Sequence, residues 1–219
     1  MSIPLPASVR VARLAAGLLA AAAPPLCWGC GAPAARGSPL CRACRGALRH
    51  LGGEPVRLAG VETWAPLAYE GPARDLVRAL KFRGAAGLAD AMAAPIAARA
   101  PERLLEGATL VPVPLPPDRL RRRGFNQAAL LARALAARSG LAVSDCLERR
   151  KAPPQWRRPR EERLVALRGG VRLRSGRAPP ARALLVDDVV TTGATLAACA
   201  AALSAPGAAA VAYARTTGR

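Results

Sequence analysis

Residues 183–195 read ALLVDDVVTTGAT. The apolar start of this stretch predicts a buried strand over Arg182–Val186. Asp187 and Asp188 follow at the carboxyl end of that strand, where open α/β sheets bind their ligands. Small residues over Thr191–Thr195 predict a turn that leads into a helix. The order strand, acidic pair, turn and helix indicates an α/β fold with a binding site at this turn.

The residue types of the turn suit a phosphate and a ribose. Two adjacent carboxylates can accept hydrogen bonds from vicinal hydroxyls or assist a bound Mg²⁺. Free N–H groups and the dipole at the start of a helix attract an anion. The alternative is a strand-end acidic pair with an ordinary helix cap, which a bare VDD would favour, whereas the complete string favours the site. Its candidate phosphate- and ribose-binding residues are Thr191, Thr192, Gly193, Ala194 and Thr195.

Other nucleotide-binding motifs are missing from the sequence. It contains no GxxxxGK[ST], so a P-loop ATPase is disfavoured, and no GxGxxG, so a dinucleotide fold has no support.

Alternating strand and helix patterns predict a mainly parallel sheet for the rest of the chain. Expected strands cover residues 61–69, 108–114 and 208–214, and expected helices begin at Gly71-Pro72 and cover residues 88–99, 126–138 and 193–203. Residues 145–182 carry twelve basic and four acidic side chains, a net charge of +8, and several prolines. This segment is predicted to be a long mobile basic loop that has room for one short helix or strand, and such loops in a compact domain are usually functional or disordered.

Composition limits what charge alone can indicate. The net charge of +19 suits polyanionic partners such as nucleic acid or nucleotides. However, 31 of the 33 basic residues are arginine, a bias that a GC-rich genome also produces. Local charge is therefore the better guide to function.

Four cysteines form two CxxC pairs, Cys27/Cys30 and Cys41/Cys44. Two such pairs can place four thiolates around one tetrahedral Zn²⁺ of structural type. The alternatives are two disulfides, which need an oxidising compartment, or a redox CxxC, which needs no second pair. Zinc is the favoured interpretation, because a metal would organise a segment too short to form its own core.

The N-terminus contains a short apolar run, Leu14–Ala23, after two arginines. It imitates a secretory signal but is too short to span a bilayer and runs directly into Cys27. We expect an alanine-rich helix and a cytoplasmic protein. The expected domains are residues 1–53, with this helix and the zinc module, and residues 54–219.

Taken with the other motifs, the stretch at 183–195 closely resembles the phosphoribosyl-pyrophosphate motif of type I phosphoribosyltransferases. The segments YEGPAR (69–74), LKFRG (80–84), VPVPL (111–115) and RGFNQA (123–128), behind the paired CxxC module, resemble the ComF family. That family includes competence proteins implicated in the uptake or use of DNA. The resemblance implies a doubly wound parallel sheet with a hood and a small zinc-ribbon-like module.

The resemblance also assigns roles to residues. It implies that Asp187 and Asp188 bind the ribose, that Thr191–Thr195 binds the 5′-phosphate, and that the loop over Pro112, Val113 and Pro114 faces pyrophosphate. Lys81 with Arg83 could bind pyrophosphate from the side, or could be ordinary cations at a helix C-terminus. Arg123 belongs to the run Arg121–Arg123, which is either functional beside that loop or a solvated charge cluster.

Two functions remain open at the level of the sequence. The first is an enzyme that transfers a phosphoribosyl group from phosphoribosyl pyrophosphate to a nitrogen nucleophile, with Mg²⁺ neutralising the leaving group. The second is a non-catalytic adaptor that binds single-stranded DNA or a nucleotide and works with a DNA-uptake or recombination helicase. Fold alone does not distinguish them.

Overall fold

A computed structural model describes residues 24–82, 87–149, 170–205 and 207–218. The expected N-terminal helix over Leu14–Ala23, Arg83 and the central part of the basic segment lie outside the described residues. No described helix is both long enough and apolar enough to cross a bilayer.

The strands within the described residues are short except for two. They are β1 (Val56–Leu58), β2 (Val61–Trp64), β3 (Leu67–Ala68), β4 (Thr109–Pro112), β5 (Ala142–Val143), β6 (Leu147–Arg149), β7 (Val171–Leu173), β8 (Ala183–Val190) and β9 (Ala209–Arg215). The main sheet has the order β1-β2-β9-β8-β4-β5, with β3 also on β9. Its pairs are parallel except β1 with β2, so the mostly parallel sheet of phosphoribosyltransferase type that the sequence predicts is confirmed.

The helices within the described residues cover both faces of this sheet. They are α1 (Arg42–Gly46), α2 (Gly71–Phe82), α3 (Leu88–Arg99), α4 (Glu102–Leu105), α5 (Pro117–Arg123), α6 (Gln127–Ser139) and α7 (Ala194–Ala202). On one face, α2, α3 and α6 share a buried cluster with Leu184 and Val186 of β8. On the other face, α7 and the strands β6 and β7 pack with Leu185. The sheet is therefore doubly wound.

Helix α6 shows how local sequence sets these elements. The Asn126 side chain accepts a hydrogen bond from the Ala128 N–H at 3.0 Å and so caps the first turn. Gly140 ends the helix in the left-handed conformation, with φ of 72°. Leu131 and Leu135 recur four residues apart and are fully buried, each stabilising the fold by about 1.5–3 kcal/mol. The expected helix over residues 126–138 is confirmed.

The structure differs from the sequence-based boundaries in two places. Strand β8 extends to Val190 rather than ending at Val186, because Val189 and Val190 still pair with β9. The segment over 145–182, expected to be a loop with room for one short helix or strand, contains two short strands, β6 and β7, which pair antiparallel. Alternation of apolar and charged side chains in these strands suits a half-buried hairpin. Residues 150–169 between the two strands lie outside the described part.

The four-cysteine module packs on helix α2. Cys27, Ala34 and Leu40 are buried and belong to the same apolar cluster as Leu76 and Leu80 of α2. The module is thus continuous with the core on that face of the sheet. Because α2 ends beside the acidic pair, the module and the candidate binding site share one supporting helix.

Candidate functional site

The acidic pair lies in the last half of β8. Asp188 is buried, with 2% of its surface exposed, whereas Asp187 is partly exposed. An Asp187 carboxylate oxygen, Oδ1, accepts a hydrogen bond from the Asp188 N–H at 2.8 Å. The Asp187 carboxylate is therefore held close to the main chain, shortly before the turn that starts α7.

Asp188 is joined to two elements on one face of the sheet. Lys81 Nζ at the end of α2 lies 2.6 Å from Asp188 Oδ2. Gln127 Nε2 at the start of α6 donates to Asp188 Oδ1 at 3.5 Å. Oδ2 is inaccessible to solvent, so the lysine compensates a buried negative charge. The structure therefore brings Lys81 to the acidic pair.

Asp187 sits in an environment that disfavours its charge. Although part of the Asp187 residue is exposed, loss of water around its carboxyl group raises its pKa well above the ordinary value, and repulsion from Asp188 raises it further. The positive charge of Lys81 lowers the same pKa but does not reverse the shift. A cation or a hydroxyl donor placed beside the pair would stabilise its charged form.

The turn at Thr191–Thr195 presents the N-terminal end of α7. Thr191 and Thr192 are exposed, and the Thr192 hydroxyl accepts from the Ala194 N–H at 3.4 Å. The first N–H groups of a helix have no acceptor within it, and the helix dipole makes that end positive. Exposed hydroxyls and N–H groups at one place can bind a phosphate.

Gly193 has a packing requirement that the sequence did not reveal. Its φ is +78°, and a Cβ built on it would lie 2.8 Å from both Cβ and the carbonyl oxygen of Leu58. A side chain at Gly193 would collide with Leu58 whether or not a phosphate were bound. Close approach between two chain segments therefore explains this glycine at least as directly as close approach of a ligand.

The loop after β4 lies beside β8. Pro112 pairs with Val186, and the Val113 N–H donates to the Val186 carbonyl at 2.9 Å. The Asn126 side-chain amide donates to the Val113 carbonyl at 3.0 Å and fixes the loop from the other side. Pro112, Val113 and Pro114 are all buried, and their one backbone N–H group, that of Val113, is already bonded to Val186.

Arg123 ends α5 next to the same region. Its guanidinium lies 5.4 Å from the centroid of the Phe82 ring and donates to the Gln127 side-chain oxygen. Burial lowers the pKa of Arg123, while attraction from Asp188 raises it. Arg119 and Arg121 on the same helix are exposed. The basic run that the sequence indicates therefore lies on α5, and Arg123, its last residue, is partly buried.

Two residues of this region were missed by sequence reasoning. Gln127 is buried and contacts Asp188. Gln127 lies four residues before Leu131 and eight before Leu135, which puts it on the apolar face of α6. A polar residue on that face could have indicated from the sequence that Gln127 has a buried polar partner. Arg149, at the end of β6, is partly buried, which lowers its pKa, while negative charge at Asp187 raises it. Nothing distinguished this arginine from its basic neighbours in the sequence.

The four cysteines form a candidate metal centre. The Sγ atoms of Cys27, Cys30, Cys41 and Cys44 all lie within 4.8 Å of one another. Cys30 Sγ and Cys41 Sγ are 3.7 Å apart, close to the roughly 3.8 Å between thiolates that bind zinc tetrahedrally at about 2.3 Å. The Cys44 N–H points at Cys41 Sγ at 3.5 Å, and α1 supports both residues. The donor set fits a structural zinc ion, as the sequence predicts.

Local hydrogen bonds favour thiolate at one of these cysteines. Burial opposes charge on Cys27, but backbone N–H groups of Cys41, Cys30 and Gly29 lower its pKa to about 6. Burial and the neighbouring thiols raise the pKa of Cys44. Four negative sulfurs would repel one another strongly, so a divalent cation is the natural counterion of the group.

Comparison with known proteins gives one informative similarity. The chain is 40% identical over 90 residues to the competence protein ComFC of Streptococcus pneumoniae. The matched stretch covers 39% of this chain and 37% of that relative. No family model matches the chain. Over this stretch, and with the four-cysteine cluster, the resemblance to the ComF family that the motifs indicate is confirmed.

Proposed function

We propose that the chain binds the phosphoribosyl group of phosphoribosyl pyrophosphate or of a related nucleotide. In this proposal Asp187 and Asp188 accept hydrogen bonds from the ribose hydroxyls, and Thr191–Thr195 binds the 5′-phosphate. The observation that carries the proposal is the partly exposed Asp187 beside buried Asp188, a few residues before the exposed hydroxyls of Thr191 and Thr192. A carboxylate pair of this kind, just before a helix N-terminus, suits a sugar phosphate.

The pyrophosphate end would lie toward the cations. Lys81 and Arg123 both stand close to Asp188, and the backbone of Pro112–Pro114 runs along the neighbouring strand. Mg²⁺, when bound with the pyrophosphate, would neutralise its charge. Asp187 and Asp188 carry the carboxylate oxygens that suit this ion, while Lys81 competes for Asp188.

Turnover would make the chain a phosphoribosyltransferase. A nitrogen lone pair of an acceptor would form a bond to the anomeric carbon, and the bond from that carbon to pyrophosphate would break. Pyrophosphate would leave with the electron pair. The carboxylates would stabilise the positive charge that develops on the sugar, and the arginines would stabilise the leaving group.

We also infer a link to competence and DNA uptake, supported by the similarity to ComFC. A cytoplasmic location belongs to this proposal, because thiols that bind zinc must stay reduced. The proposal also includes a division of the chain into an N-terminal module over residues 1–53 and a phosphoribosyltransferase-like domain over residues 54–219.

A second candidate is a non-catalytic adaptor that binds single-stranded DNA beside a DNA-uptake helicase. It is supported by exposed guanidinium groups on α5, at Arg119, Arg121 and Arg122. Phosphate contacts make affinity fall steeply with salt. Replacing Arg157, Arg158 and Arg160, which lie outside the described residues, by alanine should flatten that slope if the basic segment contributes. An unchanged slope would remove the segment from the interface.

Calorimetry tests the main proposal. The unmodified protein should bind phosphoribosyl pyrophosphate with Mg²⁺, and the double change Asp187→Asn with Asp188→Asn should abolish binding while the protein stays folded. Asparagine keeps the shape but removes charge and adds donors. Asp90→Asn is the matched control, because Asp90 is an exposed carboxylate bound to Arg138. Binding that survives in the double variant would reject the assigned site.

A further inference from the structure

A cleft of about 690 Å³ opens beside the acidic pair. Its volume lies within the range of ~300–1,000 Å³ that is usual for small-molecule sites. Two lining residues connect it to Asp188, since both Lys81 and Gln127 contact that carboxylate. Whatever occupies the cleft would therefore lie next to a ribose held by the acidic pair. The described lining residues are Tyr69, Lys81, Phe82, Arg119, Arg122, Arg123, Phe125 and Gln127.

Aromatic rings are concentrated at this cleft. Only seven residues of the chain are Phe, Tyr or Trp, yet Tyr69, Phe82 and Phe125 all line it. Phe82 is 74% exposed, which is unusual for so apolar a side chain and is not needed for packing of the core. An exposed ring at the edge of a cleft can stack on a planar ligand at little cost in conformational entropy.

Positive charge in the cleft exceeds what the protein neutralises. Lys81 is paired with Asp188, and Arg122 lies 3.7 Å from Asp118. Among the described residues, no carboxylate forms an ion pair with Arg119 or Arg123, and Arg123 instead contacts the Phe82 ring and the neutral Gln127 side chain. Because the proposed function gives Arg123 to the pyrophosphate, Arg119 is the guanidinium available to a second anionic group, and its forked geometry suits a carboxylate.

We propose that this cleft binds the acceptor of the phosphoribosyl group and that the acceptor is a planar aromatic carboxylate. This inference rests on the proposed binding of phosphoribosyl pyrophosphate. Pyrophosphate alone would use the cations but leave the exposed Phe82 ring without a contact. A neutral nucleobase would use that ring but leave the Arg119 guanidinium without a counterion. An aromatic carboxylate matches both features.

The chemistry of the lining also restricts the reacting nitrogen. The described lining contains no histidine and no carboxylate, and Asp188, which contacts two lining residues, is buried beside Lys81. A pyridine-type nitrogen needs no base, because it has no proton to lose. Its lone pair forms the bond to the anomeric carbon, the bond from that carbon to the pyrophosphate oxygen breaks, and pyrophosphate leaves with the electron pair. The ring nitrogen then carries the positive charge.

Ligand-observed NMR titrations test the inference with four probes, each with and without phosphoribosyl pyrophosphate: pyridine-3-carboxylate, pyridine-3-carboxamide, inorganic pyrophosphate and oligothymidylate. The carboxylate should bind at least about ten-fold more tightly than the carboxamide, because the two rings differ only in charge. Phe82→Ala should weaken carboxylate binding about ten-fold, the order of one stacking contact, and leave pyrophosphate binding within two-fold. Arg119→Gln should remove most of the preference for the carboxylate.

Two control variants keep the result interpretable. Val143→Ala removes another exposed apolar side chain, and Arg57→Gln removes a charge that lines a different cleft. Neither should change carboxylate binding. Equal affinity for the carboxylate and the carboxamide, or binding of oligothymidylate alone, would overturn the inference while leaving phosphoribosyl pyrophosphate binding intact. Carboxylate binding without any binding of phosphoribosyl pyrophosphate would instead reject the proposed function.

Discussion

Replacing Lys81 by methionine should destabilise the protein markedly. The change removes the cation that lies 2.6 Å from Asp188, whose side chain is only 3% exposed. At that distance the gross attraction is about 6 kcal/mol for an effective dielectric constant near 20. Desolvation of both charges offsets much of this gain, but removing one partner from a buried pair still costs about 3–5 kcal/mol. Lys81 is 22% exposed, so we expect about 3 kcal/mol.

Thermal and urea denaturation followed by circular dichroism would measure this effect. For a chain of 219 residues, about 3 kcal/mol corresponds to a fall in Tm of roughly 6–12 °C. Adding Asp188→Asn to Lys81→Met should recover at least about 1.5 kcal/mol, since the remaining buried charge is removed. Arg138→Met is the matched control, because it breaks an ion pair of 2.7 Å that is largely exposed. That variant should lose less than about 1 kcal/mol.

The reasoning would be refuted by either of two results. One is a loss of stability in Lys81→Met no larger than that in Arg138→Met. The other is simple additivity of Lys81→Met and Asp188→Asn, which would mean that the two side chains do not interact in solution.

Three further predictions concern other parts of the molecule. Gly193→Ala should lower the free energy of unfolding by at least about 2 kcal/mol, and Gly140→Ala by about 1 kcal/mol. Both glycines have positive φ, but only a Cβ at Gly193 would lie 2.8 Å from Leu58. Equal losses for the two variants in urea denaturation would argue against the close contact. Purified protein should contain about one zinc per chain by elemental analysis. Cys27→Ser or Cys44→Ser should lose the metal and destabilise residues 24–53, whereas Cys146→Ala should retain it. A zinc content well below one per chain in the unmodified protein would contradict the metal centre. Asp187→Asn should raise the Tm of the ligand-free protein by a few degrees at pH 7. The reason is that a carboxyl group with a raised folded pKa lowers the stability of the folded protein as the pH climbs from the ordinary pKa of 3.8 to the higher folded value. If the variant's Tm at pH 7 were unchanged or lower, and its difference from the unmodified protein were the same at pH 3, charge on Asp187 would not destabilise the fold.

Local sequence determined the elements around the site. The apolar start of β8, the small residues before α7 and the leucine spacing of α6 each follow from periodicity and capping within one segment. Even so, β8 runs on to Val190, since pairing with β9 rather than hydrophobicity sets where it ends. The two CxxC pairs also indicated a common cluster directly, because their spacing brings four sulfurs together.

Contacts between distant segments were not available from the sequence. From the sequence, Lys81 could be recognised only as a cation at a helix end. No neighbouring residue indicated that its side chain would contact Asp188. Gly193 was explained by a ligand, but its contact with Leu58 depends on how β1 passes the start of α7. The pairing of β6 with β7 was hidden because each strand has only three residues and lies in a segment rich in arginine. Such features depend on tertiary packing, which overrides weak local preferences.

Hydrogen–deuterium exchange with and without phosphoribosyl pyrophosphate and Mg²⁺ tests the central claim most directly. The account predicts that the ligand slows exchange of backbone N–H groups over residues 187–196, with a smaller effect over residues 112–115. In Asp187→Asn with Asp188→Asn the protection should disappear, while exchange of α6 stays unchanged. No protection of residues 187–196 in the unmodified protein at saturating ligand, or protection confined to other segments, would contradict the proposed phosphoribosyl site.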